Sequence, residues 1–295
     1  MQKNTYKIFL FHGVIKKNNY KIRNYNNKHI LESNFFKFLK FLKRKGNFLS
    51  VDEICYHVIN KINLPKNTFC ITFDDGFENN FSVAAPILDD LKIPSTFYFS
   101  TDFIDKNSMS WIDKLEYCIE KKDRGEVNLP WLKKNFYFSN KKSKILLLNS
   151  IRKNVKKKLS IDIDKFTHSI LKQLNKKVSK NLNTPIDKKI TWNKVKLLNN
   201  NNLFTIGGHS HRHISLGSLS SNQADHEISK SFSLFKKKAG IVLKHYSYPE
   251  GMKIDYNNSI IKKLKNRGIK CCPTAINGIN NLKTDLFKLK RIMIN

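Results

Sequence analysis

The chain has 295 residues, 40% of them hydrophobic, which is enough for a substantial core in one large domain or one domain with an insertion. Its formal net charge is +32, but the lysines are spread along the whole length and accompany abundant Asn, Ile and Phe. We attribute this charge mainly to an amino-acid composition that A/T-rich codons favour. A specific nucleic-acid-binding function would rest on charge alone and ranks last, whereas contact with an anionic membrane or substrate stays open.

The five cysteines are an odd number without CxxC spacing, which argues against a disulfide framework and against a thiolate zinc site. The first apolar run, at residues 8–11, is too short for a secretory signal or a membrane span. We therefore expect a cytoplasmic protein, with peripheral membrane contact as an option. Nothing in the sequence indicates an oligomeric state.

The first hundred residues alternate between strand and helix patterns. We predict strands at residues 6–11, 48–50, 69–73 and 95–99, and helices at residues 32–45, 51–62 and 79–91. Ser50 suits the N-cap of the second helix, and Pro86 predicts a kink or restart in the third. Because the strands lack a polar face, we expect parallel strands buried on both sides, as in α/β proteins.

The pattern changes after residue 104. A helix at residues 111–118 precedes a Lys/Asn-rich stretch with two amphipathic helical runs, at residues 145–155 and 166–174, and no predicted strand. We interpret residues 105–188 as a helical insertion within a single domain spanning residues 1–295. We expect it to be a lysine-coated surface elaboration rather than a separate functional domain.

The strand and helix alternation resumes near residue 191. We predict strands at residues 203–206, 246–249, 271–275 and 288–294, and helices that begin at residue 192 and span residues 224–238 and 260–267. No internal repeat is evident beyond this alternation.

Two adjacent carboxylates, Asp74 and Asp75, follow the predicted strand at residues 69–73, and Gly76 permits a sharp exit. The C-terminal edge of parallel strands is where α/β enzymes carry their chemistry. Two neighbouring carboxylates repel each other unless a cation or a proton relieves the repulsion. The pair therefore indicates a positive partner elsewhere in the chain.

His209 and His213 are four residues apart just after another predicted strand, a spacing from which two imidazoles can reach one cation. Asp75 can supply a third ligand, and such a set leaves positions open for water and substrate, as in catalytic metal sites. Asp74 would then remain as a free carboxylate, able to act as general base on a water whose pKa the metal lowers.

The segments Thr-Phe-Asp-Asp-Gly at residues 72–76 and His-Ser-x-x-His at residues 209–213 resemble the first two motifs of NodB-type polysaccharide deacetylases, carbohydrate esterase family 4. Weaker similarities occur in the same order, at residues 11–12, 94–98, 247–251 and 289–292. The resemblance covers roughly residues 5–104 and 190–295. The Trp-Ile-Asp-Lys-Leu-Glu segment at residues 111–116 looks like one found in some biosynthetic members.

This resemblance implies a distorted (β/α)7 TIM-like barrel and metal-dependent hydrolysis of an N-acetyl group on a sugar, in surface polysaccharide or lipopolysaccharide biosynthesis. The implied substrate is an N-acetylated sugar, an oligosaccharide, or a lipid- or nucleotide-linked glycan. By motif match, Asp74 is the base. The implied ligands of a divalent metal are Asp75, His209 and His213. Zinc is the first expectation, and cobalt, nickel, manganese or iron are alternatives.

The third motif implies a substrate-binding role for Tyr248, Pro249, Glu250 and Gly251. The backbone N–H near Glu250 would help to stabilise the tetrahedral oxyanion, and loss of one such donor typically costs about 3 kcal/mol in the transition state.

The sequence departs from the family pattern in two places. The arginine that often orients the base is missing from the third motif, and Arg291 is the candidate replacement. No histidine follows His245, so the late histidine that protonates the leaving amine in many members is also missing. His12, at the end of the first predicted strand, is the candidate general acid, while His245 is interpreted as a strand-end histidine.

Two other functions stay open on the sequence. The same barrel and motifs serve metal-dependent amidases that act on non-sugar C–N bonds, as in allantoinase-like relatives. The missing late histidine also allows a catalytically silent carbohydrate-binding homologue.

Overall fold

The structure, a computed structural model, describes residues 4–157, 161–179 and 182–295. Its strands are β1 (Thr5–Phe11), β2 (Gly13–Ile15), β3 (His29–Leu31), β4 (Asn47–Phe48), β5 (Thr68–Phe73), β6 (Ser95–Phe99), β7 (Gly125–Val127), β8 (Phe136–Phe138), β9 (Phe204–Gly208), β10 (Asn280–Asn281) and β11 (Ile292–Met293). Its α-helices are α1 (Glu32–Lys43), α2 (Val51–Ile59), α3 (Ala85–Asp90), α4 (Thr101–Lys106), α5 (Trp111–Glu120), α6 (Lys141–Lys157), α7 (Ile163–Gln173), α8 (Trp192–Asn199), α9 (Ser221–Leu234) and α10 (Asn258–Lys265).

Four parallel strands, in the order β1, β5, β6, β9, form the regular half of the sheet. Beyond β9 the ring continues through isolated parallel bridges, which join Gly208 to Tyr246, His245 to Cys271, and Pro273 to Leu289. The last strand, β11, then lies parallel to β1 and closes the ring. These seven segments make the distorted (β/α)7 barrel that the sequence predicts.

The irregular half of the barrel corresponds to the predicted strands at residues 246–249, 271–275 and 288–294. Apart from β11, these segments pair only through isolated bridges. Pro249 and Pro273 lie within two of them, and proline has no N–H to donate to a regular ladder. This half of the barrel is therefore held by fewer backbone hydrogen bonds than the other.

Aromatic packing explains why the predicted strands lack a polar face. Every residue of β5 and β6 is buried. On the outer face of the sheet, Phe73 stacks against Phe11 at 5.4 Å and against Phe97 at 5.0 Å between ring centroids, and Phe35 of α1 covers this row. The side chains that alternate with these rings point into the barrel and line its interior.

Two predicted helix signals are confirmed. Ser50 caps α2 in a capping box, in which its side chain accepts from Glu53 N–H and the Glu53 carboxylate accepts from Ser50 N–H. Pro86 is the second residue of α3, which restarts after a π-helical turn at Asn80–Ala84. That turn matters for the site, because Asn80 Nδ2 donates to His12 O at 2.8 Å and fixes the end of β1.

The prediction that residues 121–189 contain no strand is wrong. The strands β7 and β8 form an antiparallel hairpin there, too short to leave a clear alternating pattern. This region has its own apolar cluster, formed by α5, α6, α7 and the hairpin and joined by Ile22 from the first loop. Residues 158–160 and 180–181 of the predicted insertion lie outside the described residues. No helix within the described ranges is long and apolar enough to span a membrane.

Candidate active site

Asp74 and Asp75 lie where β5 ends, and the backbone turns sharply between them and Gly76. The Asp74 N–H still pairs with Phe11 O in the neighbouring strand, at 3.0 Å. Asp75 has a φ of +75°, and the Gly76 N–H donates back to Asp74 O at 3.0 Å, which together define a γ-turn with positive φ. A non-glycine residue in this conformation is strained, and such strain is concentrated at functional sites. The turn directs two consecutive carboxylates to the barrel mouth.

Arg291 holds Asp74 by a buried two-pronged ion pair. Its Nη1 and Nη2 lie 2.8 and 2.7 Å from Asp74 Oδ1 and Oδ2, and its Nε donates to Thr274 O at 2.6 Å. Burial alone would raise the pKa of Asp74, but the Arg291 guanidinium outweighs it and leaves that pKa below its usual range. Asp74 is therefore an ionised carboxylate fixed in one orientation, and Arg291 lies where the predicted orienting arginine is needed.

Asp75, His209 and His213 converge on one point beside Asp74. Asp75 Oδ1 lies 3.1 Å from His213 Nε2 and 3.6 Å from His209 Nε2. One potential ligand atom from each of the three residues lies within 4.8 Å of those of the other two. Asp75 Oδ1 is buried, and no hydrogen bond of good geometry reaches it from the described part of the chain. This donor set of two imidazoles and one carboxylate fits a divalent cation.

The second nitrogen of His209 is already engaged. His209 Nδ1 lies 3.0 Å from Ser247 O and 2.6 Å from Ser247 Oγ. A carbonyl acceptor at Nδ1 fixes the tautomer whose Nε2 carries a lone pair, which is the arrangement typical of metal-ligating histidines. Burial also lowers the pKa of His209, which favours the neutral ring that a metal requires.

A lysine that the sequence analysis did not single out completes the charge pattern. Lys28 Nζ lies 3.1 Å from Asp75 Oδ2 and 3.4 Å from both carboxylate oxygens of Asp113 on α5. Burial alone would raise the pKa of Asp75, but Lys28 and His213 outweigh it and hold that pKa well below its usual range. Each carboxylate of the Asp74–Asp75 pair thus has its own cationic side chain, and Asp75 Oδ1 remains directed at the histidines.

Lys28 lies in a polar loop with other lysines and belongs to no motif, so nothing in the sequence distinguishes it from them. Asp113 did carry a signal, since it belongs to the segment at residues 111–116 that looks like one in biosynthetic family members.

The site opens into a cavity of about 140 Å³, lined in part by residues of the predicted insertion. Its floor holds His12, Asp74, Asp75, His209 and His213. The insertion contributes Trp111 and Ile112 of α5, and Arg152 and Lys156 of α6. This face of the predicted insertion therefore forms part of the cavity wall.

The third motif lies at the edge of the cavity, and its members differ in what they face. Tyr248 and Glu250 line the cavity, but the Tyr248 hydroxyl donates away from it, to Phe287 O at 3.1 Å. Glu250 pairs with Lys156 of α6 at 2.5 Å. Between buried Pro249 and Gly251, Glu250 adopts a φ of +61°, and the Gly251 N–H donates to Pro249 O at 2.7 Å. Among the described residues the Glu250 N–H has no acceptor.

Lys189, buried beside the site, lacks a hydrogen-bond partner for its Nζ among the described residues. The Nζ lies 3.3 Å from the Phe77 ring centroid and 4.9 Å from that of Phe103. Burial lowers its pKa from 10.5 to about 8. The Lys189 ammonium group therefore binds its proton more tightly in the unfolded chain than in the folded one. Below pH 8 the buried charge lowers the free energy of unfolding by its full amount, and this destabilisation disappears as the pH rises to 10.5.

We therefore expect Lys189→Met to raise the free energy of unfolding at pH 7. At 1.36 kcal/mol per pH unit, the gap between 10.5 and about 8 sets an upper limit of about 3 kcal/mol. Urea unfolding at pH 7 and pH 10.5 measures the effect, which should shrink at the higher pH. The exposed neighbour Lys188→Met is the matched control, and an equal gain in both variants would contradict the prediction.

Comparisons with known proteins agree with this site. The profile of the family described as "Polysaccharide deacetylase" matches residues 61–129 and 154–272. The matched ranges contain Asp74, Asp75, His209 and His213, but neither His12 nor Arg291. Curated protein sequences gave no match.

Several solved structures share the fold. The deacetylase PplD from Streptococcus pyogenes, in complex with acetate, is 16% identical with a TM-score of 0.63, over 99% of this chain and 93% of that one. IcaB from Ammonifex degensii is 15% identical with a TM-score of 0.62, over 100% and 93%. A de-N-acetylase from Aggregatibacter actinomycetemcomitans is 14% identical with a TM-score of 0.61, over 99% and 95%.

The fold and the site thus define a hydrolase acting on amide C–N bonds. The chain belongs to the polysaccharide deacetylase family, which confirms the resemblance seen in the sequence. Family membership agrees with sugar N-deacetylation and with the potential metal-binding group of the site.

Proposed function

We propose that this protein removes the N-acetyl group from an acetamido sugar in a metal-dependent reaction that serves surface polysaccharide or lipopolysaccharide biosynthesis. The substrate would be an N-acetylated sugar, an oligosaccharide, or a lipid- or nucleotide-linked glycan. One observation carries the proposal: Asp75, His209 and His213 converge beside a carboxylate that a buried arginine holds in place. The basic surface is compatible with an anionic carrier or an anionic membrane.

Asp75, His209 and His213 would hold the metal, with zinc as the first choice and cobalt, nickel, manganese or iron as alternatives. When bound, the cation would lower the pKa of a water and polarise the acetyl carbonyl. Asp74, ionised and oriented by Arg291, would accept a proton from the attacking water. The Glu250 N–H, at the cavity edge, would donate to the carbonyl oxygen as negative charge develops on it.

Metal analysis tests the ligand set. We expect His213→Ala to lose one equivalent of metal per chain relative to the wild type, because two remaining ligands bind a divalent ion poorly. His211→Ala is the matched control, since His211 belongs to the same loop but contacts Thr101 Oγ1 at 2.8 Å and faces Asp102 instead. Equal metal content in wild type and His213→Ala would remove His213 from the ligand set.

His12 is proposed as the general acid for the leaving amine. It lines the cavity with both carboxylates, and its Nδ1 has no hydrogen-bond partner within the described ranges. Burial lowers the pKa of His12 to about 4, so only about one ring in a thousand is protonated at pH 7 in the free protein. The role therefore requires that His12 gain its proton in the substrate complex.

We expect His12→Gln to lower kcat for acetate release by about 10²–10⁴-fold and to change the alkaline limb of the pH profile. His57→Gln, a change at a partly buried histidine of α2, is the matched control. A kcat profile that His12→Gln leaves unchanged would mean that another group, such as protonated Asp74, returns the proton to the amine.

A further inference from the structure

A second group of potential metal ligands lies inside the barrel, below the catalytic carboxylates. Cys55 belongs to α2, and His245 and Cys271 are bridge partners in the irregular half of the barrel. Each is at most 1% exposed, and one potential ligand atom from each lies within 4.8 Å of those of the other two. His245 is two residues before Ser247, whose side chain faces Asp74, so both side chains point into the barrel.

The ring of His245 is oriented between a thiol and a carboxylate. Its Nδ1 lies 3.2 Å from Cys271 Sγ. Its Nε2 lies 3.1 Å from Asp52 Oδ1, although the angle is not that of a hydrogen bond. Lys270 Nζ holds the same Asp52 oxygen at 2.8 Å. A carboxylate at one ring nitrogen leaves the lone pair on the other, and metal-ligating histidines typically have such a partner.

The order thiol, imidazole, carboxylate is also that of a nucleophilic triad. Burial excludes this role, because Cys271 and His245 are both 0% exposed. The cavity of the candidate active site is lined by none of the three residues. A substrate therefore cannot reach the thiols, whereas a metal ion can be enclosed during folding.

We propose that Cys55, His245 and Cys271 bind a second, structural divalent cation, for which zinc is the preferred ion. Two thiolates, a neutral imidazole and a divalent ion have no net charge, so the closed site avoids the cost of an unpaired buried charge. This site is independent of the proposed catalytic function.

Such an ion would compensate for the weakest part of the barrel. It would join α2 to two segments that pair with their neighbours only through isolated bridges. It would also keep Cys55 and Cys271 as thiolates, whereas burial without a cation raises the pKa of Cys271 well above its usual range.

Cobalt substitution tests the proposal, because a thiolate bound to Co²⁺ gives an intense near-ultraviolet charge-transfer band that carboxylate and imidazole ligands do not give. We expect this band in the wild type and in Asp75→Ala/His213→Ala, and its loss in Cys55→Ser/Cys271→Ser. Zinc analysis should show two ions per wild-type chain and one in each double variant.

A second variant tests the same site in case Cys55→Ser/Cys271→Ser does not fold. Asp52→Asn keeps all the ligands and should weaken zinc binding at this site about 10–100-fold. Absence of the cobalt band from the wild type would overturn the proposal, as would a Cys55–Cys271 disulfide in the purified protein. Neither result would count against the catalytic metal site, because metal analysis of His213→Ala tests that site separately.

Discussion

Asp74→Asn should reduce acetate release from an N-acetylated hexosamine oligosaccharide by about 10²–10⁴-fold, while the protein keeps its metal. Asn has nearly the same shape as Asp but cannot accept a proton from water. The metal should remain because Asp75, His209 and His213 are unchanged. Acetate assay and metal analysis on the same preparation measure both quantities.

The control for this variant has to separate lost chemistry from lost structure. Asp74→Asn leaves the buried Arg291 without its countercharge, so some loss of stability is expected. Assays should therefore run well below the melting temperature of the variant. Asp123→Asn makes the same chemical change at an exposed position. Acetate release by Asp74→Asn at the wild-type rate would show that Asp74 is not the base.

Replacement of Arg291 should be costly for both stability and activity. Arg291→Met leaves the buried Asp74 carboxylate without its positively charged partner, and we expect the free energy of unfolding to fall by about 3–5 kcal/mol at pH 7. Arg291→Lys restores the charge but not the two-pronged geometry, so it should recover only part of the stability and of kcat. Denaturant unfolding and acetate assays measure the two effects.

The pH dependence of this effect has a definite sign. The folded-state pKa of Asp74 is lowered, so the stability that it contributes is present above its unfolded pKa of 3.8 and is lost as the pH falls through the folded value. In Arg291→Met, burial without the guanidinium should instead raise the pKa of Asp74. The difference between wild type and Arg291→Met should therefore begin to shrink above pH 4, once Asp74 is protonated in the variant, and be smallest where Asp74 is protonated in both proteins.

Two further variants isolate the ion pair itself. Arg291→Met combined with Asp74→Asn should be more stable than Arg291→Met alone, because the unpaired charge is gone. Arg267→Met removes a more exposed ion pair with Asp225 and should cost no more than about 1 kcal/mol. A similar loss in Arg267→Met and Arg291→Met would contradict a special role for the buried pair.

The sequence predicted those features of the fold and site that leave a local pattern. The barrel strands were recognisable because both faces of the parallel sheet are apolar. The four site residues were recognisable because they follow such strands in the order of the family motifs: Asp74, Asp75, His209 and His213. Where pairing depends on a few bridges between distant segments, as at residues 245–293, the predicted strands were longer than those found.

Other features depend on tertiary contacts that no spacing encodes. Lys28 reaches Asp75 and Asp113 from a lysine-bearing loop that has no motif. Cys55 and Cys271 come together from a helix and a barrel segment, so the absence of CxxC spacing did not exclude a thiolate group. Arg291 was identified by elimination, as the replacement for an arginine missing elsewhere, and its contact with Asp74 became visible only in the folded chain.

The pairing of Asp74 with Arg291 also has a consequence for the timing of biosynthesis. A ribosome makes residue 74 long before residue 291, and the segment that carries Arg291 is the last barrel segment along the chain and pairs with β1. A nascent chain that has not reached residue 291 therefore contains the acidic turn and both histidines but lacks the arginine that pairs with Asp74. The buried ion pair can therefore form only after nearly the whole chain has been synthesised.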